Sequence, residues 1–154
     1  MQPLTADRGD TEPASTFHRH CFACGMENPA GLRIRFMTHG TSSSGTVTID
    51  RRFQGYDSIA QGGIIATVLD TAMVQLLRDL FGGNPMTARL DVRYFHDTPL
   101  QESLNVTARL SQCRANTYWM ESQILFGAIR CASAQGVFRI HHTREVRNQP
   151  EQRQ

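Results

Sequence analysis

The sequence contains no lysine, and all 16 of its basic side chains are arginine. That absence excludes Schiff-base chemistry on a lysine, a P-loop lysine and a lysine general base. A long apolar run is also missing. The longest stretch, Gly62 to Leu69, is cut by Asp70, far short of the roughly 20 residues that a bilayer-spanning helix needs. The first twenty residues carry Asp7, Asp10 and Glu12 and no apolar core, so they do not read as a secretory signal. Charge of one sign is scarce too: the formal net charge is +2, with no basic run interleaved with aromatics. Neither a nucleic-acid partner nor a membrane partner is expected, whereas small acidic ligands stay open. These exclusions lead to a cytoplasmic location for a chain of 154 residues, the length of one domain.

Cysteine is sparse, at positions 21, 24, 113 and 131. Nothing marks an extracellular context, so reduced thiols are expected rather than a disulfide framework. Cys21 and Cys24, with His18 and His20 nearby, could supply half of a tetrahedral zinc shell, but no second pair at finger-like spacing follows. The expectation is a loop that packs two small thiols, with no metal and no cofactor. No strand precedes the pair, which argues against a thioredoxin-type motif. His141 and His142 are adjacent on a strand, point to opposite faces and cannot jointly bind an ion.

Residues 1–16 and 143–154 are polar and read as flexible tails around a folded domain at 17–142. Inside that domain, Leu32, Ile34 and Phe36 alternate with Arg33 and Arg35, and Val47 and Ile49 alternate with Thr46 and Thr48. This pattern predicts two half-buried strands joined across THGTSSSG. From Gly62 the period lengthens. Ile64, Ile65, Val68, Leu69, Ala72, Met73, Leu76, Leu77, Leu80 and Phe81 form one wide stripe, which predicts a helix of about five turns. Gly82, Gly83, Asn84 and Pro85 stop it. Alternation then returns around Leu90, Val92 and Tyr94, again from Leu104 to Leu110, and in two further strands near 117–126 and 129–141. A lone helix among strands with one apolar face each should be wrapped by a single antiparallel sheet, an α+β fold.

Chemistry concentrates at the start of the helix. Gly62 and Gly63 present first-turn N–H groups without intrahelical acceptors, and such donors can hold a developing oxyanion. Asp70 lies on the flank of the stripe. A carboxylate there either snorkels to solvent or sits in a partly dry pocket as base or nucleophile. Arg89 and Arg93 share one strand side with Asp91 between them, which fits local charge pairing or a guanidinium fork on phosphate. Trp119 and Leu125 share a mixed face with Glu121 and Gln123, suited to an oligomer contact or to partial exposure.

Three segments, CFACGMENPAGLRIRF, FQGY…GGIIATVLDTAM and ARLDVRYFHDTPL, together resemble the hotdog-fold thioesterase superfamily. The branch is that of phenylacetyl-CoA and 4-hydroxybenzoyl-CoA thioesterases, and the likeness covers Cys21 to about Phe138. The resemblance implies a hotdog fold and a homodimer, or a dimer of dimers, with acyl-CoA hydrolysed at the dimer interface without metal or cofactor. It implies Asp70 as nucleophile or base, the N–H of Gly62 as the donor to the thioester carbonyl, Gln54 as the amide that orients the attacking species, and Thr87 as a hydroxyl at the same interface. Beside the resemblance, Gly63 at the helix start and Arg89 and Arg93 on their strand are expected as substrate contacts, the arginines for the phosphates of coenzyme A. The family usually has histidine directly before the glycines, where this chain has Gln61; glutamine can stand in as a neutral donor and acceptor. The alternative on the same fold is a non-catalytic acyl-CoA binding or sensor domain. A hotdog dehydratase fits less well, since residues 53–73 contain no histidine.

Overall fold

The computed structural model describes residues 18–142; the tails expected at 1–16 and 143–154 lie outside the described residues. The chain forms two compact units, the first ending at Arg33 and the second beginning at Ile34. In the second unit the elements run β1 (Met37–His39), β2 (Ser42–Val47), a short 3-10 turn (Arg51–Phe53), α1 (Gly62–Phe81), β3 (Asn84–Tyr94), β4 (Leu104–Arg114), β5 (Thr117–Phe126) and β6 (Ile129–His141). One six-stranded sheet has the order β1-β2-β4-β5-β6-β3, with every neighbouring pair antiparallel. Among the described residues β3 pairs with β6 alone, so it forms one edge of the sheet.

Helix α1 packs against β2 through β6. Its stripe is shut off from water: Val68, Leu69, Ala72, Met73, Leu76 and Leu77 have no exposed surface. They meet Leu104, Val106, Met120, Ile124, Phe138 and Ile140, which are all buried. Each large side chain buried in this way contributes about 1.5–3 kcal/mol, so the helix is held by its apolar face rather than by its own propensity. Gly136 serves this packing, since a Cβ there would overlap the Phe138 ring. This is the hotdog arrangement expected from the sequence.

Two boundaries differ from the alternation pattern. The strand expected from Leu32 is shorter, and regular pairing starts only at Met37. Arg33 has φ 54, in the left-handed region, which breaks an extended run. The backbone of 34–36 is instead satisfied by the helix: buried Gln75 donates from Nε2 to the Ile34 carbonyl at 3.0 Å and accepts from the Phe36 N–H at 3.2 Å. The connection between β1 and β2 is also tighter than THGTSSSG suggested. It turns at Gly40, with φ 57, and Ser42 to Gly45 already pair in β2. At the other end of the helix, Asn84 and Pro85 both stop α1 and begin β3. Proline is tolerated there because an edge strand can spare an N–H.

Candidate active site

The loop before α1 is stitched to itself and to residues 98–100. Gln61 donates its N–H to the Phe53 carbonyl and Gly55 donates to Ile59, both at 2.9 Å, while Ala60 donates to Thr98 at 2.9 Å. Gln54 sits in this loop with its Oε1 accepting from the Ser58 N–H at 3.1 Å. Its amide oxygen is thereby engaged in the turn.

Gln61 is the N-cap of α1, with extended φ −64 and ψ 136. Its own side chain closes the cap, Oε1 accepting from the Ile64 N–H at 3.1 Å. Gly63 makes room for that amide, because a Cβ at position 63 would come within 2.9 Å of Gln61 Oε1. Capping satisfies the third N–H of the helix and leaves the first two. Among the described residues no acceptor bonds the N–H of Gly62 or Gly63. The Gly62 carbonyl, by contrast, accepts from the Tyr94 hydroxyl at 2.8 Å, which ties the start of the helix to the end of β3.

Asp70 lies about two turns further along and is half-buried. Its Oδ1 accepts from the Thr87 hydroxyl at 2.8 Å. Burial lifts its carboxyl above the ordinary value of 3.8, and the Thr87 hydrogen bond pulls it part of the way back. Thr87 reaches Asp70 because of an irregularity in β3. Pairing with β6 shifts between Thr87, opposite Phe138, and Arg89, opposite Val137, which leaves Ala88 as an extra residue. The bulge changes the phase of the strand, so Thr87 faces the helix while Arg89, Asp91 and Arg93 face outward. On that outer side Arg89 pairs with Asp91 at 2.8 Å, and both line a shallow groove with Trp119 and Glu121.

The eight expected site residues therefore separate into three groups. Gly62, Gly63, Gln61 and Gln54 gather at the helix start, Asp70 and Thr87 form a pair beside the middle of the helix, and Arg89 and Arg93 stand on the opposite face of the sheet. Along the helix Gly62 and Asp70 are about 12 Å apart at 1.5 Å per residue. That span is too long for both to touch one thioester carbonyl, since an oxyanion donor sits about 3 Å from the oxygen and an attacking atom about 3–3.5 Å from the carbon. Nothing local in the sequence marks Tyr94 or Gln75 as a site or support residue. Their partners lie 32 and 41 positions away, and no local spacing links such pairs.

No family model matches the chain, and no curated protein matches it. Solved structures do. A thioesterase superfamily protein aligns with a TM-score of 0.71 and 29% identity over 79% of this chain, which spans 60% of that protein's length. A phenylacetic acid degradation-related protein of Ralstonia eutropha JMP134 aligns with a TM-score of 0.67 and 15% identity, over 84% of this chain and 92% of the other. A hypothetical thioesterase protein of Streptococcus pneumoniae TIGR4, solved with coenzyme A, aligns with a TM-score of 0.65 and 16% identity, over 71% and 90%. Among the described residues, no helix is long and apolar enough to cross a membrane.

Proposed function

Starting from a chain that has the hotdog fold of the thioesterase superfamily, we propose that it is an acyl-CoA thioesterase acting as a homodimer. In this reading each site is built from the helix start of one copy and the Asp70–Thr87 pair of the other. The observation that carries it is the pair of ties on β3. Tyr94 holds Gly62, and Thr87 holds Asp70, on one edge strand whose outer backbone has no sheet neighbour among the described residues. An open edge of 11 residues invites pairing with another strand. Antiparallel self-pairing centred on Asp91 sets Arg89 opposite Arg93 and, with Ala88 as the extra residue, would bring Tyr94 of one copy opposite Thr87 of the other. The unbonded donors of one helix would then meet the carboxylate of its mate, a self-complementary contact that closes with two-fold symmetry.

The reaction follows from those groups. The thioester carbonyl oxygen accepts from the N–H of Gly62, where developing negative charge is favoured by the helix dipole. Asp70 attacks the carbonyl carbon or draws a proton from the water that does. The C–S bond then breaks. Where water attacked, the proton held by Asp70 passes to the thiolate; where Asp70 attacked, water hydrolyses the resulting Asp70–acyl anhydride and supplies that proton, so both routes release coenzyme A as the thiol and the acyl group as the carboxylic acid. Burial, which raises the proton affinity of Asp70, makes it a stronger base than an exposed aspartate. Gln61 contributes as the cap that fixes the donors, Gly63 as the small residue the cap requires, and Gln54 by shaping the preceding loop. Arg89 and Arg93 stay available to the phosphates of coenzyme A only if the cofactor arm crosses to the outer face.

Free-thiol release from short, long and aromatic acyl-CoAs, measured with wild type and Asp70→Asn, tests the proposal. Turnover on at least one substrate that is lost in the variant is expected; a variant with wild-type rates would sink the role of Asp70. Binding without turnover on every substrate would instead favour a sensor domain. That second reading is motivated by the absence of a titratable group at position 61 and by the engagement of Gln54 in its own loop.

A further inference from the structure

Two cysteines at a spacing of three supply half a metal shell, and the first unit of the fold adds a third donor. His18, Cys21 and Cys24 recur every third residue, the period at which side chains in successive tight turns fall in line. The turns are present: the Cys21 N–H donates to the His18 carbonyl at 3.1 Å and the Gly25 N–H donates to the Cys21 carbonyl at 2.9 Å. Gly25 permits this winding, since a Cβ there would overlap the backbone of Cys21 and Arg19. The outcome is convergence. One nitrogen of His18 and the sulfurs of Cys21 and Cys24 all lie within 4.8 Å of one another, with His18 Nδ1 and Cys24 Sγ 3.8 Å apart.

We propose that His18, Cys21 and Cys24 form a binding site for a soft divalent cation, with zinc the best-suited ion. Zinc holds sulfur at about 2.3 Å and imidazole nitrogen at about 2.0–2.1 Å in a tetrahedron, which sets those two ligands about 3.6 Å apart. The observed separation of His18 and Cys24 is close to that edge. Charge fits as well, because two thiolates and a neutral imidazole balance the ion, and Cys24 is buried, where uncompensated charge is costly. Three protein donors leave one corner for water or another small donor. His20 takes no part: its side chain is 78% exposed and turned to Glu27, with Nε2 3.7 Å from the carboxylate. The site would pin the 18–25 loop, and it is independent of the proposed hydrolase activity.

Cobalt(II) titration of the untagged, reduced full chain tests this. One equivalent should bind with sulfur-to-metal charge-transfer absorption and the intense visible bands of tetrahedral coordination, and zinc should displace it. His18→Ala, Cys21→Ser and Cys24→Ser should each weaken binding by roughly a hundredfold or more, while His20→Ala and Cys113→Ser should match wild type. A pale octahedral spectrum, or the same loss in His20→Ala as in His18→Ala, would overturn the assignment. A second readout needs no variant: zinc should slow alkylation of Cys21 and Cys24 by more than about tenfold and leave exposed Cys113 unchanged. Equal rates with and without zinc would overturn it too.

Discussion

Proline at position 62 removes one hydrogen atom from the proposed site and disturbs little else. Gly62 is the first residue of α1, the position where proline is over-represented because the N–H it lacks has no intrahelical acceptor. Gln61 already has the extended ψ of 136 that a residue before proline prefers. A side-chain carbon at 62 would lie 3.6 Å from the Tyr94 hydroxyl, an ordinary contact, and the Gly62 carbonyl would still accept from Tyr94. Gly62→Pro should therefore fold with unchanged stability, or gain up to about 1 kcal/mol from a stiffer unfolded chain. Loss of a single oxyanion donor should lower kcat by about 10²–10³, or 2.7–4 kcal/mol.

The same variant tests how the site is assembled. Mixed with Asp70→Asn and reassociated at random, about half of the dimers would hold one of each chain, and each mixed dimer would have one intact site out of two. Thiol release should then recover to about a quarter of wild type from two nearly inactive parents. Activity no higher than the mean of the parents, in a mixture shown to contain mixed dimers, would refute the shared site. Full activity in Gly62→Pro alone would refute the donor role of the N–H.

Two further outcomes follow from the same geometry. Folding raises the proton affinity of Asp70 above its ordinary value of 3.8, so its contribution to stability is full below that value and is lost as pH rises through the raised one. Asp70→Asn keeps an acceptor for Thr87 and carries no charge, so its melting temperature should exceed that of wild type at neutral pH, with the gap closing in acid; a constant gap would contradict the burial effect. The cap and Gly63 should be coupled: Gly63→Ala gains helix propensity of about 0.5–1 kcal/mol but displaces the Gln61 amide, whose cap is worth about 1 kcal/mol. It should be near neutral in wild type and stabilising in Gln61→Ala, and simple additivity in a double-mutant cycle by chemical denaturation would show that the two do not interact.

Much of this architecture was legible because it follows from periods. The stripe from Ile64 to Phe81 and the alternation after Thr117 respond directly to burial, and helix and strands lie where those periods put them. The period fails where something other than burial sets the backbone. Arg33 turns left-handed, and Gln75 supplies hydrogen bonds that a neighbouring strand would otherwise give. The candidate site shows the same division. Gly62 and Asp70 were readable from a helix start and a polar residue on an apolar flank, but Thr87 could not be separated from Arg89 and Arg93 by alternation. Counting by twos from Arg93 through Arg89 assigns Thr87 to the outer face, and only the extra residue at Ala88 turns it toward Asp70. His18 likewise joins Cys21 and Cys24 through turns that no pairwise motif encodes.

The two ties on β3 also carry a consequence for how such a molecule would behave on dilution. Each tie lies within one chain, so a separated copy keeps its fold, its cap and its lifted carboxyl, yet its donors and its acid remain a helix length of about 12 Å apart. Specific activity would then track the fraction of chains in dimers and fall steeply below the dissociation constant, while spectroscopic measures of folding hold steady. For such an enzyme, abundance would act as an on-switch without any effector.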